Sequence, residues 1–411
     1  TAAEFADQTQ LSFSTIEVIS PGDGSSPPGV TPSTFTLPLA TADALEPFEG
    51  MLVTVDQELF VTEYFQLGRF GQVLVSSGGR LDQPTAVAEP GAEANAVQAA
   101  NDLNQLFIDD TLNEQNPEPI IYGGNGQPLT ADNPLRGGDV TVSPTGVLTY
   151  TWAGNSASGD AFRLRPTVEP IEFETRNPRP TSVPSVGGTL TVASFNVLNY
   201  FLTIDDGSDA CGPIGSKDGC RGADDAQEFE RQRVKLLAAL SKIDADVVGL
   251  IEMENTELAD GTVVEPLADI VAGLNDLAGS EEWAFIDAGA IGTDVIKVGF
   301  IYRVDSVSPV GDPAVLDSSV DPRFDDSRNR PALAQTFTED RSGEVMTVIV
   351  NHFKSKGCSG STGLDVAQGD GQGCFNASRT AAAEALVDWA AAAPTGIADD
   401  DVLVIGDLNA Y

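Results

Sequence analysis

Positive charge is scarce in this chain. Its 411 residues hold 22 Lys+Arg against 62 Asp+Glu, a formal net charge of −40 at pH 7. A surface that acidic excludes a general basic coat for nucleic acid, but not a local site where a metal or a few Arg meet phosphate. Histidine is nearly missing: His352 is the only one. No uninterrupted apolar run reaches the ~18 residues of a membrane-spanning helix. A charged leader followed by an apolar core is also absent, and the sequence opens on Thr1 rather than Met. We therefore expect that the true N-terminus lies upstream and that any signal peptide is missing. No C-x-x-C occurs among the four cysteines, which with one histidine argues against zinc.

The composition that remains is globular, with 41% hydrophobic and 20% charged residues. At roughly 150 residues per domain the length allows two or three domains. The acid excess, and six Lys against sixteen Arg, fit a saline habitat in which salt screens self-repulsion. Cys211 and Cys220 bound one stretch rich in Gly, Asp and Ser, and Cys358 and Cys374 bound another. Four cysteines allow three connectivities, and four free thiols are a further alternative. The local pairs Cys211–Cys220 and Cys358–Cys374 are expected, each pinning a loop by about 2–3 kcal/mol. Disulfides imply an oxidising, extracytoplasmic setting.

Organisation changes along the chain. Residues 1–160 carry only Arg69, Arg80 and Arg136 as basic residues. Short Val- and Leu-rich segments at 51–55, 58–62 and 71–76 read as strands between Gly, Pro and Asp clusters. Residues 20–34 read as a Pro/Gly/Ser loop, and a helix is expected around 98–107. The stretch 140–152 reads as a hairpin turning at Pro144–Gly146, and 176–188 as a linker. From Thr189 onward strands alternate with helices. Strands are expected at 189–195, 246–251, 297–302, 333–338, 345–350 and 402–405, with helices at 226–243 and 377–392. Asp225 is a fair N-cap for the first helix, with Glu228 three residues on.

Four of these strands run into a residue capable of chemistry: Asn196, Glu252, Asn351–His352, and the Gly406–Asn409 run containing Asp407. Singly, each has an ordinary reading: a turn amide, a solvated acid, a buried imidazole, a plain turn. If the strands share one sheet, their ends converge on a carboxylate–amide–imidazole cluster. Such a cluster suits a hard divalent cation with open positions for substrate oxygens.

The runs SFNVLNYF (194–201), DVVGLIEMEN (246–255), RNRPALAQTF (328–337), NHFKSKG (351–357) and GDLNAY (406–411) resemble the endonuclease/exonuclease/phosphatase superfamily, the DNase I-like phosphodiesterases. Within it, the Cys-bounded inserts resemble secreted bacterial nucleases of the ExeM/NucH type. The resemblance implies an α/β four-layer sandwich, two packed sheets flanked by helices, over 189–411. It also implies a β-rich OB-like domain over 1–175, with 176–188 between them. Glu252 is implied as the principal Mg²⁺ ligand (Mn²⁺ or Ca²⁺ being alternatives), supported by Asn196. His352 would contact the scissile phosphate and assist proton transfer, with Asp294 orienting it. Asp407 and Asn409 would position and deprotonate the attacking water, and Arg330 or its neighbour Arg328 would contact phosphate.

The family closes with an Asp-His pair downstream of G-D-x-N, and no second His occurs here. The chain is therefore expected to be a fragment, incomplete at both ends and inactive by itself. The expected function is that of a secreted, monomeric, Mg²⁺-dependent endonuclease hydrolysing DNA, and RNA as an alternative, with little sequence preference. A sphingomyelinase-like lipid phosphodiesterase and a non-catalytic matrix-binding protein are the other readings. Few basic residues in the N-terminal part argue for a structural rather than strand-binding role there.

Overall fold

The structure, a computed structural model, describes residues 2–5, 8–11, 15, 30–153, 158–167 and 170–410. The loop expected at 20–34 falls outside the described residues as far as residue 29. The chain divides into two compact units, Thr1–Pro180 and Thr181–Tyr411.

In the first unit, β1 (Ala2–Phe5) pairs antiparallel with β2 (Gln8–Leu11). The main sheet contains β3 (Ser33–Phe35), β4 (Leu52–Val55), β5 (Glu58–Glu63), β6 (Val73–Ser77), β7 (Leu106–Ile108), β8 (Val140–Val142), β9 (Thr145–Thr151) and β10 (Ala161–Arg165). Its order is β3-β4-β9-β10-β7-β6-β5-β8. Asp56 and Gln57 alone separate β4 from β5, and Ser143 and Pro144 alone separate β8 from β9. Since β4 pairs with β9 while β5 pairs with β8, two long bent strands run side by side. β5 then leads through β6, β7 and β10 back to β9, so the hydrogen-bonded circuit closes. Alternate residues of the strands fill the interior, among them Val53, Val55, Leu59, Val61, Val73, Val75, Leu148 and Leu164, as the two-residue pleat requires.

The hairpin expected at 140–152 is not one. β8 and β9 do not pair with each other. Ser143 takes φ 47° and Pro144 has no N–H to donate, so the Pro/Gly signal marks a corner in one bent strand. Among the described residues the α-helices of this unit are α1 (Leu67–Phe70), α2 (Pro84–Val87) and α3 (Ala92–Leu103). The helix expected at 98–107 begins earlier, on the Ala-rich stretch, and ends before β7.

The second unit contains β11 (Val192–Tyr200), α4 (Ala226–Ile243), β12 (Val247–Glu254), α5 (Pro266–Ala278), β13 (Trp283–Phe285), β14 (Ile296–Arg303), β15 (Val307–Leu316), β16 (Arg330–Glu339), β17 (Val345–His352), α6 (Asn376–Ala391) and β18 (Val402–Asp407). They form an α/β arrangement with two four-stranded sheets, β11-β12-β14-β13 and β15-β16-β17-β18. The sheets share one apolar cluster, with Val247, Ile251, Val298 and Phe300 from the first and Leu333, Phe337, Val348 and Val350 from the second. Leu236, Leu237 and Leu240 of α4 and Ile270 and Leu274 of α5 cover the first sheet against Val248, Leu250 and Met253. Ala382, Ala385 and Leu386 of α6 cover the second against Ala332, Ala334 and Ile349.

Helix α4 starts where the cap was expected: Glu228 N–H donates to Asp225 Oδ1 at 2.8 Å. The return bond from the Glu228 carboxylate goes to Asp224 N–H at 3.1 Å, not to the cap residue itself. Parallel pairs β11–β12 and β17–β18 are each joined by a helical crossover, as parallel strands require. Strand β15 contains Pro309, Gly311 and Pro313, which its place at the sheet edge tolerates.

Candidate active site

Two of the chemistry-bearing residues lie at irregularities inside strands rather than beyond strand ends. β11 continues past Asn196, and its register with β12 shifts between Asn196 and Tyr200. Leu198 and Asn199 there take φ of 55° and 59°. β12 continues past Glu252, with a register shift against β14 between Ile251 and Met253. Glu252 itself has φ 67°. A bulge re-aims the residue that occupies it, and left-handed backbone at a non-glycine residue costs about 1–3 kcal/mol. The surrounding hydrogen bonds hold it there. Asn196 Nδ2 donates to Glu252 Oε1 at 3.1 Å, and Asn199 N–H donates to Oε2 at 3.1 Å. Asn196 Oδ1 accepts from Leu198 N–H at 2.9 Å.

The second sheet brings the other residues to one edge. β17 and β18 are parallel, so their C-terminal ends coincide, and His352 lies opposite Asp407. Antiparallel β16 starts at the same level, with Arg330 opposite His352. Gly406 permits the close approach: its φ is 127°, and a Cβ there would lie 2.1 Å from the Asn351 carbonyl oxygen. Asn409 N–H donates to Asp407 Oδ1 at 3.0 Å, and its Nδ2 donates to the Phe353 carbonyl at 2.9 Å.

The two sheets meet at this edge. His352 Nε2 lies 3.9 Å from Glu252 Oε1, and one hollow is lined by Asn196, Ile251, Asp407 and Asn409. Burial, reinforced by the Arg330 charge, pushes the His352 pKa down to about 4. The imidazole is therefore neutral near pH 7, and its contact with Glu252 is not an ion pair. Arg330 Nη2 binds Asp294 Oδ2 at 3.0 Å, and Arg221 Nη2 approaches Asp294 Oδ1 at 3.4 Å.

Asn196, Glu252, His352, Arg330, Asp407 and Asn409 are thus drawn together. Asp294 is close, its charge acts on His352, and among the described residues no hydrogen bond joins the two. Two guanidinium groups take its oxygens, and His352 Nδ1 is buried with no hydrogen-bond partner among the described residues. Arg328 stands apart, with its guanidinium 5.3 Å from the Phe375 ring centroid. Both local disulfides form, Cys211–Cys220 and Cys358–Cys374, each with a Cα–Cα distance of 5.1 Å.

Sequence reasoning missed two residues. Arg221 follows Cys220 directly, and the only available signal was a cation inside an acidic, Gly-rich loop. Glu254 is fully buried and accepts from Leu202 N–H at 2.7 Å and Thr203 N–H at 3.1 Å. It ties down the chain leaving β11.

The donors present suit a hard divalent cation: the Glu252 carboxylate and the Asn196 carboxamide both offer oxygen. Among the described residues no three His, Cys, Asp or Glu side chains are grouped to hold a metal by themselves. Mg²⁺ does not need such a cage, because it keeps several waters and binds through one or two carboxylates together with substrate phosphates. Buried polar atoms without partners among the described residues, His352 Nδ1, Arg330 Nε and Asn351 Oδ1, leave hydrogen-bonding capacity at the same edge.

No family model and no curated protein sequence matches the chain. Similar solved structures include an endonuclease/exonuclease/phosphatase family protein from Bacteroides thetaiotaomicron, at 14% identity and TM-score 0.32, covering 54% of this chain and 63% of that one. A mannosyl-6-phosphatase from the same organism shares 14% identity at TM-score 0.32, covering 54% of this chain and 66% of its own. The human Nocturnin catalytic domain with bound sulfate shares 14% identity at TM-score 0.30, covering 54% and 64%. The chain thus spans less than two thirds of each of these proteins. With TM-scores this low the likeness carries no functional weight. No helix among the described residues is long and apolar enough to cross a membrane.

Proposed function

We propose that the cluster at the meeting edge of the two sheets is the active site of a secreted, metal-dependent phosphodiesterase that hydrolyses DNA. The observation that carries this reading is the convergence of Glu252 with His352 at 3.9 Å, from strands of different sheets, with Asp407 paired in register beside His352. Glu252 and Asn196 would hold Mg²⁺, which when bound supplies positive charge against the attacked phosphate.

Asp407 accepts the proton of the attacking water, and the Asn409 N–H fixes the orientation of its carboxylate. Neutral His352 donates a hydrogen bond to a non-bridging phosphate oxygen, and the leaving oxygen takes its proton from solvent as its bond to phosphorus breaks. Arg330, steadied by Asp294, contributes a fixed cation for the developing charge. The superfamily layering is supported by the order of helices, sheet, sheet and helix in the second unit. An OB-like first unit is supported by its closed circuit, in which β7 and β10 are the parallel pair. Secretion is supported by the two disulfides.

The reading is tested on substrates of different class. Plasmid nicking that requires Mg²⁺ and falls by at least ~10²-fold in His352→Ala is expected, since one hydrogen-bond donor to the developing charge typically contributes that much. Hydrolysis of sphingomyelin with plasmid untouched would select the lipid reading. No hydrolysis of either would leave the non-catalytic one.

A further inference from the structure

We propose that Arg221 and Arg328 form a second phosphate subsite beside the reacting centre, which seats a phosphate of a polynucleotide other than the one attacked. This rests on the phosphodiesterase reading and gives its substrate class: a chain of phosphates in series rather than a single phosphoester.

The subsite starts from the first disulfide. Cys211 and Asp218 exchange backbone hydrogen bonds at 3.1 and 2.9 Å. Gly212 N–H donates to Thr256 Oγ1 at 3.1 Å, and Lys217 Nζ donates to the Glu257 carbonyl at 2.6 Å. The Cys211–Cys220 loop is therefore clamped to the segment after β12, and Arg221 projects from its closing cysteine. A cleft of about 270 Å³ separates this loop from the segment before β16, with Arg221 on one side and Arg328 on the other. Its lining includes none of Glu252, His352 and Asp407, so it is not the hollow of the reacting groups.

The charge balance in the cleft is the second argument. Asp294 is already shared by Arg221 and Arg330, and Asp218 and Asp326 also line the cleft. Arg328 and Lys354 instead lie over one aromatic ring, 5.3 and 5.1 Å from the Phe375 centroid. Among the described residues neither is in an ion pair. Burial lowers the Lys354 pKa, the charge of Arg330 lowers it further, Asp294 opposes this, and Arg328 and Arg221 add to the lowering. In a chain with 62 acids and 22 bases, two cations that share one ring and have no carboxylate partner among the described residues are an exception, and they leave positive charge for an anion. Guanidinium groups suit phosphate in particular, because they present paired N–H donors.

The test is binding of a short fluorescent single-stranded oligodeoxynucleotide, followed by anisotropy in EDTA over a series of NaCl concentrations. Removing one phosphate contact lowers the slope of log Kd against log salt by about 0.7 on single strands. Arg221→Ala and Arg328→Ala are each expected to lose about that much slope and to bind several-fold more weakly. Arg221→Lys keeps the charge and is expected to retain the slope, which separates a lost contact from a damaged loop. Arg341→Ala, at the far end of β16, is expected to leave the slope unchanged.

Unchanged slopes in Arg221→Ala and Arg328→Ala would overturn the proposal. So would an equal fall in Arg341→Ala, or no salt-dependent binding by the unaltered chain. Cleavage is scored separately. Reduced slopes together with metal-dependent cleavage that Glu252→Gln leaves undiminished would sink the active-site reading and keep the subsite, and cleavage lost in Glu252→Gln with unchanged slopes would do the reverse.

Discussion

Two titratable side chains, one in each unit, show how burial sets protonation. His352 is buried and faces Arg330, so its pKa is pushed down to about 4 and it stands neutral at physiological pH. A neutral imidazole still has an N–H to donate to a phosphate oxygen. His352→Ala in a form of the protein that cleaves DNA should lower kcat by about 10²–10³-fold, with KM for an oligonucleotide changing much less. Steady-state kinetics check this; an equal loss confined to KM would assign His352 to binding alone.

Asp110 goes the other way. Burial raises its pKa to about 6 from the model-compound 3.8, and its Oδ2 is buried without a hydrogen-bond partner among the described residues. Folding therefore favours the protonated carboxyl. That contribution is complete below about pH 4, is lost as pH rises through about 6, and stays lost above it. Asp110→Asn retains an oxygen for the Leu112 N–H that now donates to Oδ1 at 2.8 Å. Relative to the unaltered chain, it should gain about 1–3 kcal/mol at pH 7.5 and little at pH 4. Urea unfolding at the two pH values measures the difference, and a gain that is the same at both would contradict it.

Strands, helices and the loops between them carry the next level. The Cys211–Cys220 disulfide closes a loop with a sequence separation of 9, for which chain entropy gives about 2–3 kcal/mol. Replacing both cysteines with Ser should lower unfolding free energy by about that amount, read by denaturant titration, while far-UV circular dichroism at 25 °C keeps the strand and helix signal. A loss below ~0.5 kcal/mol would mean that the backbone bonds of the loop hold it unaided.

Much at this scale was legible in the sequence. Helix α4 follows from the Leu236, Leu237 and Leu240 stripe and the Asp225 cap. Strands β12, β14 and β17 follow from runs of Val, Ile and Leu that both faces bury. Helix α5 went unread although Pro266 starts it and Gly279 ends it, because its stripe is interrupted by Gly273 and Asn275. Strand β15 was hidden by its two prolines and a glycine. The strand-end rule put Glu252 at the edge where it meets His352 for an incomplete reason, since the residue sits in a bulge that no side-chain pattern encodes. Asp294 was assigned to His352 because sequence order cannot show that Arg221 and Arg330 occupy its oxygens.

At the scale of the whole molecule, charge is the organising fact. A chain at −40 repels a polyanion unless cations are concentrated where it binds, and it attracts divalent metal over much of its surface. Bulk metal binding is therefore a poor probe of the site, and turnover is a sharp one. The central claim is that one carboxylate, Glu252, makes phosphodiester cleavage metal-dependent. The measurement that tests it most directly is plasmid nicking with Mg²⁺ or with EDTA, comparing a form of the protein that cleaves DNA with its Glu252→Gln variant. This substitution keeps the shape of the side chain, removes its charge, and gives up one of the two hydrogen bonds that its oxygens accept from Asn196 Nδ2 and Asn199 N–H. Nicking that requires Mg²⁺ and falls by at least ~10²-fold in Glu252→Gln, about 2.7 kcal/mol of transition-state stabilisation, is the predicted result. Nicking that persists in EDTA, or that Glu252→Gln leaves undiminished, would contradict the account.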